Sequence, residues 1–503
     1  MTRPATVGSG GGPRRHLGAA LAEQVQAEIV AAGWPVGTLL GSEADLCRRY
    51  GVGRGTFREA ARLLEHHQVA RMQRGRTGGL VVTAPSGHSV TTALAVWFEY
   101  ANPSLGDVHA VRRVLEALAV HRAAVHIDDD EIALLRQLYD QERATNPDPH
   151  TAHLQHQLLH QLLARASRNP ALEVFVDALT RLIERTPASF ELYDTHGDEV
   201  EGEIRTVHRR IGDAVIAGDV PTAQRLMAAH LRAVERTQAA QGGTQRRASG
   251  LLFSPEPAGR RADQVAWAIH DEIRDAHWPV GSVVGSQAEL MARYGVGRAV
   301  FREAVRLLED HSVARMKKGP GGGLVTMAPD EGAVVQTVSR YLRYSGIAPA
   351  DLLEVRAVLE LTAVHAAAAA PHHSIDRLAA LAEAGVDDPY SFHRELAALA
   401  GNPVLSLFME VLIGLWREWV GGDGDGHDSG NGHGPMAAAP EPVPVGAADP
   451  AGDAPRLHRA IAAAVARGDD VLARRMVIRD ATRWCSPGAT GVGRLVALDG
   501  AAG

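Results

Sequence analysis

Arg54, Arg58 and Arg62 recur every fourth residue in the stretch YGVGRGTFREAARLLEHHQVARM, residues 50–72. Side chains four apart share one face of a helix, so the three guanidiniums form a basic stripe. Such a stripe neutralises phosphate, and its early members can pair bidentately with guanine. The same types return 244 residues later in YGVGRAVFREAVRLLEDHSVARM, residues 294–316, as Arg298, Arg302 and Arg306. A merely solvated helix face has this pattern too. At the level of these residues alone both readings stand.

The flanking residues say how the stripe would be held. Ser42 before Glu43 and Asp45 is an N-cap signal for a short helix. Leu46 and Tyr50 share one face of it, Gly51 breaks it, and Val52 is expected as a buried turn residue. A second helix then begins with Arg54, with Thr56 in its first turn, and Phe57, Ala61 and Leu64 form its apolar stripe. Next, VARMQRGRTGGLVV reads as strand–turn–strand with a basic, Gly-rich tip at Arg74, Gly78 and Gly79. The second copy has Lys317, Lys318, Gly322 and Gly323 there. Two short helices with a tight turn, the second opening on Arg, follow helix-turn-helix logic, and the tip has the shape of a wing.

Charge is distributed to match. The 503-residue chain carries a net −7, which argues against polyanion binding all over. Residues 13–84, however, hold ten Arg against six Asp and Glu. Aromatic residues make up only 5%, and Ala, Leu, Val and Arg dominate, which favours helices. The two cysteines, Cys47 and Cys485, lack metal spacing and suit a reducing compartment. The N-terminal stretch has no apolar core of a secretion signal, and no apolar run is long enough to span a bilayer. A cytoplasmic location is expected, with no membrane partner.

The repeat extends beyond the arginines. Trp34-Pro35-Val36-Gly37 returns as Trp278-Pro279-Val280-Gly281, and Arg112 and Glu116 return as Arg356 and Glu360. Asn169-Pro170 returns as Asn402-Pro403 and His208 as His458, at slightly different offsets. The expected organisation is a tail at 1–12, a winged helix at 13–86, a helical domain at 87–238 and a linker at 239–260. A second winged helix follows at 261–330, then a second helical domain at 331–486 and a tail at 487–503. The insertion at 421–454 has a composition that cannot pack a core and lacks the calcium-loop pattern; it is read as a disordered loop. The fold class is therefore mainly α: two winged helix-turn-helix domains with small β wings and two all-α bundles, in alternation.

The stretch PVGTLLGSEADLCRRYGVGRGTFREAARLLEHHQVARMQRGRTGGLVV resembles the winged helix of the GntR superfamily of bacterial transcription regulators. The resemblance implies DNA contacts from the recognition-helix arginines, here Arg54, Arg58, Arg298 and Arg302, and from the wing. Ala44 and Ala288 stand where the family often has Arg, and Gly53 and Gly297 where it has a hydroxyl residue. VRRVLE at 111–116, HQLLARASRNP at 160–170 and the His208 to Leu231 stretch are similar to the FCD-type effector domain of the FadR-like subgroup. That resemblance implies a divalent metal on an Asp, a His four residues later and two further His. The matching positions are His156, His160, His208 and His230, with His150 and His153 nearby; four imidazoles suit Zn or Ni. In the second copy the match is His393, His458 and Asp480, with Pro389 at the Asp position beside Asp388. It also implies a small carboxylate effector held by Arg112 or Arg356.

The reading is a ligand-responsive, DNA-binding regulator, taken as a repressor, whose fused copies form a pseudo-dimer on an operator of two half-sites. Pairing of two chains, copy with copy, stays open. Two alternatives stand beside it: an interaction protein whose winged helix no longer binds DNA, and a metal-dependent helical enzyme on the same histidines.

Overall fold

The computed structural model describes residues 15–75, 78–144, 149–184, 202, 204–239, 260–319, 321–369, 375–384, 390–421 and 450–482. The expected tails at 1–12 and 487–503 lie outside these residues, as do most of the linker and the insertion. By contacts the chain divides into two units, the first built on residues 1–87 and the second on most of the remainder.

The first unit is a three-helix winged helix. Its elements are α1 (Arg15–Ala31), β1 (Leu39–Gly41), α2 (Glu43–Tyr50), α3 (Arg54–His66), β2 (Ala70–Gln73) and β3 (Gly79–Val82). Ser42 caps α2 by accepting from the Asp45 amide, and Gly51 ends it in the left-handed conformation at φ 64°. Any side chain there would be strained, which is why glycine makes the tight turn. Val52, expected buried, is half-buried. Leu46, Phe57, Ala61 and Leu64 face a core with Val25, Ile29 and Leu80, while Arg54, Arg58 and Arg62 are exposed. The antiparallel sheet has strand order β1-β3-β2, with Ala70 opposite Val82 and Met72 opposite Leu80. Glu28 accepts from both Arg49 and Tyr50 at 2.8 Å, tying α1 to α2.

The second unit opens with α4 (Gly87–Ala101), α5 (Leu105–His126), α6 (Asp129–Ala144), α7 (Pro149–Ala166), α8 (Pro170–Glu184), α9 (204–216) and α10 (Val220–Gln238). The α5 helix is central and packs on α7, α8 and α10. A second winged-helix arrangement follows: α11 (Arg261–Asp275), β4 (Val283–Gly285), α12 (Gln287–Arg293), α13 (Arg298–Asp310), β5 (Ala314–Lys317) and β6 (Gly323–Thr326). Its sheet order, β4-β6-β5, is that of the first. Glu272 accepts from Arg293 and Tyr294, at the positions that match those of Glu28. The unit ends with α14 (Glu331–Tyr344), α15 (Pro349–Ala368), α16 (Asp376–Ala384), α17 (Ser391–Leu399), α18 (Pro403–Gly421), α19 (Pro450–Ala466) and α20 (Asp470–Thr482).

The two helical sets share one core, made where α5 and α8 meet α15 and α18. Phe175 on α8 stacks on Phe408 on α18 with ring centres 3.9 Å apart and planes at 6°. Each lies six residues after its Asn-Pro asparagine. Those asparagines reach across in both directions: Asn169 donates to the Asp351 carbonyl at 3.0 Å, and Asn402 to the Asp107 carbonyl at 2.9 Å. Arg122 adds an ion pair to Asp351 at 2.8 Å and to Glu354 at 2.6 Å. The second winged helix meets α4. His270 on α11 pairs with Glu99 at 2.9 Å, both side chains nearly inaccessible, and Tyr100 lies edge-on to Trp278. Among the described residues no helix is long and apolar enough to cross a membrane.

Candidate metal centre and nucleic-acid interface

Arg54 is the first residue of α3 and is exposed; Arg58, one turn on, is exposed and paired with Glu43 at 3.1 Å. Thr56 between them is half-buried. Gly53 caps α3 without a side-chain hydrogen bond, so no side chain competes for the first-turn amides, which favour phosphate. Arg298 and Arg302 hold the same exposed positions on α13, again after a glycine cap. Arg74, Lys317 and Lys318 are exposed at the two wing tips.

Beside the contact role expected of them, the wing glycines have a structural one. Gly79 is buried in the sheet, and a Cβ there would lie 2.2 Å from the Gly41 carbonyl oxygen. Gly323 meets Gly285 in the same way at 2.6 Å. At Gly78 and Gly322 a Cβ would strike the carbonyls of Gln73 and Lys317. Close backbone approach requires these glycines, which set the wing's shape.

Four histidines converge inside the first bundle. His156 and His160 come from α7, one turn apart on its inner face; His208 comes from α9 and His230 from α10. All are buried, and their ligand-capable nitrogens lie within 4.8 Å of one another. His208 Nε2 and His230 Nε2 are 3.3 Å apart. Two nitrogens on one tetrahedral zinc, each about 2.05 Å from the ion, would be separated by about 3.3 Å. Burial first, then the neighbouring imidazoles, holds His156 and His230 well below the usual histidine range; burial and His160 do the same for His208. These rings are therefore neutral and offer lone pairs. His150 and His153 have no described side chains.

Glu116 was legible only as part of the repeat, yet it organises the cluster from α5. Its Oε2 faces His160 Nδ1 at 2.5 Å, and its Oε1 accepts from Arg112 Nε. Burial pushes its carboxyl up, but Arg112 and then His160 outweigh that and hold it at about 2. A charged Glu116 fixes the proton on His160 Nδ1, so Nε2 turns its lone pair into the cluster, the usual carboxylate–histidine–metal arrangement. His160 Nε2 has no hydrogen-bond partner, nor have Arg112 Nη1 and Nη2, although Arg112 is wholly buried. The donor set fits a divalent metal, and the Arg112 charge acts on His156, His208 and His230.

The second bundle assembles a different cluster at matching positions. His393 on α17, His458 on α19 and Asp480 on α20 are buried and converge within 4.8 Å. Here Arg356 Nε donates to Glu360 at 2.6 Å, and its Nη2 lies 2.8 Å from His393 Nε2. Asp480 Oδ2 is 3.8 Å from that same Nη2. His458 stacks on Phe392 with ring centres 4.1 Å apart. Pro389 and Asp388 fall outside the described residues.

The FCD domain family model matches residues 107–233, and that of bacterial regulatory proteins, gntR family, matches residues 261–323. A Mycobacterium gastri protein, the HTH-type transcriptional regulator RmpR, is 30% identical over 220 residues, which are 42% of this chain and 77% of that protein. The Escherichia coli K12 Glc operon transcriptional activator is 25% identical over 229 residues, 44% of this chain and 89% of its own. Among solved structures, a Streptococcus agalactiae GntR protein is 21% identical with a TM-score of 0.32, covering 44% of this chain and 99% of its own.

Proposed function

The chain belongs to the GntR family of bacterial regulatory proteins, and from that premise we propose that it is a ligand-responsive regulator in which one chain supplies both DNA-reading halves. It is a transcriptional regulator with an FCD effector domain. Residues 13–86 and 261–330 read the operator through Arg54, Thr56, Arg58, Arg74, Arg298, Arg302, Lys317 and Lys318. Residues 87–238 and 331–486 are paired helical domains. Three contacts support a fused pseudo-dimer. Phe175 stacks on its own counterpart Phe408, and the two Asn-Pro asparagines bond reciprocally across the same interface. Such self-contact and reciprocity occur at a two-fold axis. Two related reading heads then suit an operator of two half-sites.

The sensing reading rests on one observation, the buried Arg112 whose two terminal nitrogens have no partner. A buried guanidinium left half-bonded is costly, and a small carboxylate answers it with two charge-assisted bonds. When a divalent metal, zinc or nickel, is held by His156, His160, His208 and His230, it supplies a second positive centre for the same anion. Glu116 meanwhile keeps Arg112 and His160 in place. Effector binding shifts operator affinity only through a difference in affinity for two arrangements of the chain. Repression by occupying the operator is the simplest output of this design.

The test is calorimetric titration of small organic acids into the metal-loaded chain and its Arg112→Met variant, with operator binding followed in parallel. Loss of the acid response in the variant, with operator affinity retained, is the expected result. An unchanged response would remove Arg112 from the effector site.

A further inference from the structure

We propose that the second cluster is closed to metal because the Arg356 guanidinium stands where the ion would, so that of the two matching clusters among the described residues only the first takes an ion. The inference rests on the family reading of the first cluster but is argued from the differences between the two. In the first, His160 Nε2 is unbonded and Arg112 keeps two free nitrogens. In the second, the equivalent His393 Nε2 accepts from Arg356 Nη2 at 2.8 Å. That lone pair is the one an ion would need. The same Nη2 lies 3.8 Å from Asp480 Oδ2, and Arg356 Nε is held by Glu360.

The residue types explain why the guanidinium stays. Asp480 replaces the last histidine of the first cluster, adding a negative charge beside Glu360. Carboxylates on two sides and an imidazole acceptor hold this buried, permanently charged arginine in the cluster. The fourth ligand is lacking among the described residues: the position four before His393 is a proline, which has no donor side chain. Phe392 stacks on the His458 ring and holds it in the packed core. A guanidinium already bonded on both sides also has less to offer a carboxylate effector. The chain is then a sensor in one half and a fixed scaffold in the other.

The experiment is zinc content of the purified full chain, after equilibration with zinc and removal of excess, by elemental analysis. Four variants are compared with wild type. Wild type should hold one equivalent, the double variant His160→Gln/His208→Gln none, and His458→Gln one. Arg356→Met should gain a second equivalent, whereas Arg356→Lys, which keeps the charge, should not; circular dichroism checks that each is folded. Two equivalents in wild type, one of them lost in His458→Gln, would overturn the proposal. A folded Arg356→Met chain that gains nothing would overturn it as well. Absence of zinc from wild type contradicts the four-histidine reading of the first cluster instead; the Arg356→Met gain then still decides the second.

Discussion

At the scale of single residues, the roles divide into contact, support and shape, and each makes its own prediction. Arg54 is exposed at the start of α3, so Arg54→Ala should weaken operator binding by about 1–3 kcal/mol and relax preference at one half-site. Competition between operator variants at fixed salt measures it; equal loss on all sequences would make Arg54 a phosphate contact only. Glu116 touches His160 from behind, so Glu116→Gln should lower metal affinity by about 10–100-fold without removing a ligand. Metal competition with a chelator reads this. Gly79 faces the Gly41 carbonyl at 2.2 Å for an added Cβ, so Gly79→Ala should destabilise the first winged helix by about 1–3 kcal/mol. Gly53 has open space and φ −75°, so the same change there should cost little. Thermal melts of the two variants separate shape from contact. The arginine stripe and the glycine break could be read from sequence because they are local patterns. Glu116 could not be given its role, because an Arg and a Glu four apart look like any surface pair until their helix is known to be central and buried.

At the scale of elements, α11 of the second winged helix is joined to α4 of the first bundle by the buried pair of His270 and Glu99. Burial alone would lower the His270 pKa; the Asp271 and Glu99 carboxylates, accepting from its ring, outweigh it and push it up to about 9. Asp271 is itself paired with Arg274, and Trp267 and Trp278 close the ring's surroundings. Since the folded value is raised above the ordinary 6.5, the stabilisation is complete below about pH 6.5 and is lost as pH rises through about 9. Melting temperature should therefore fall between pH 7 and 9.5, and Glu99→Gln should flatten that slope. An identical pH profile in the variant would exclude the pair as its source. Nothing in the sequence pointed to this contact: the two residues are 171 positions apart, and neither sits in a repeated motif. The elements themselves were legible, since caps, breaks and apolar spacing act within a few residues. Their docking depends on long-range packing and was not.

At the scale of the whole molecule, the repeat was legible because identical segments need no structural knowledge to be seen. How the halves meet was not: Phe175 and Phe408 are ordinary core residues until their rings are found stacked. The histidine set of the first bundle was recoverable from family spacing, whereas in the second the spacing did not reveal that Arg356 Nη2 lies 2.8 Å from His393 Nε2. The described elements of both halves thus follow the same order while their polar interiors differ. One chain is expected to provide two related reading heads for one operator. This is tested most directly by selecting bound fragments from genomic DNA and weighing the complex on a single selected duplex by native mass spectrometry. One chain on a sequence with two half-sites is the expected result, with loss of one half-site's enrichment when Arg54 and Arg58 are replaced by alanine. Two chains per duplex, with no complex containing one, would contradict it.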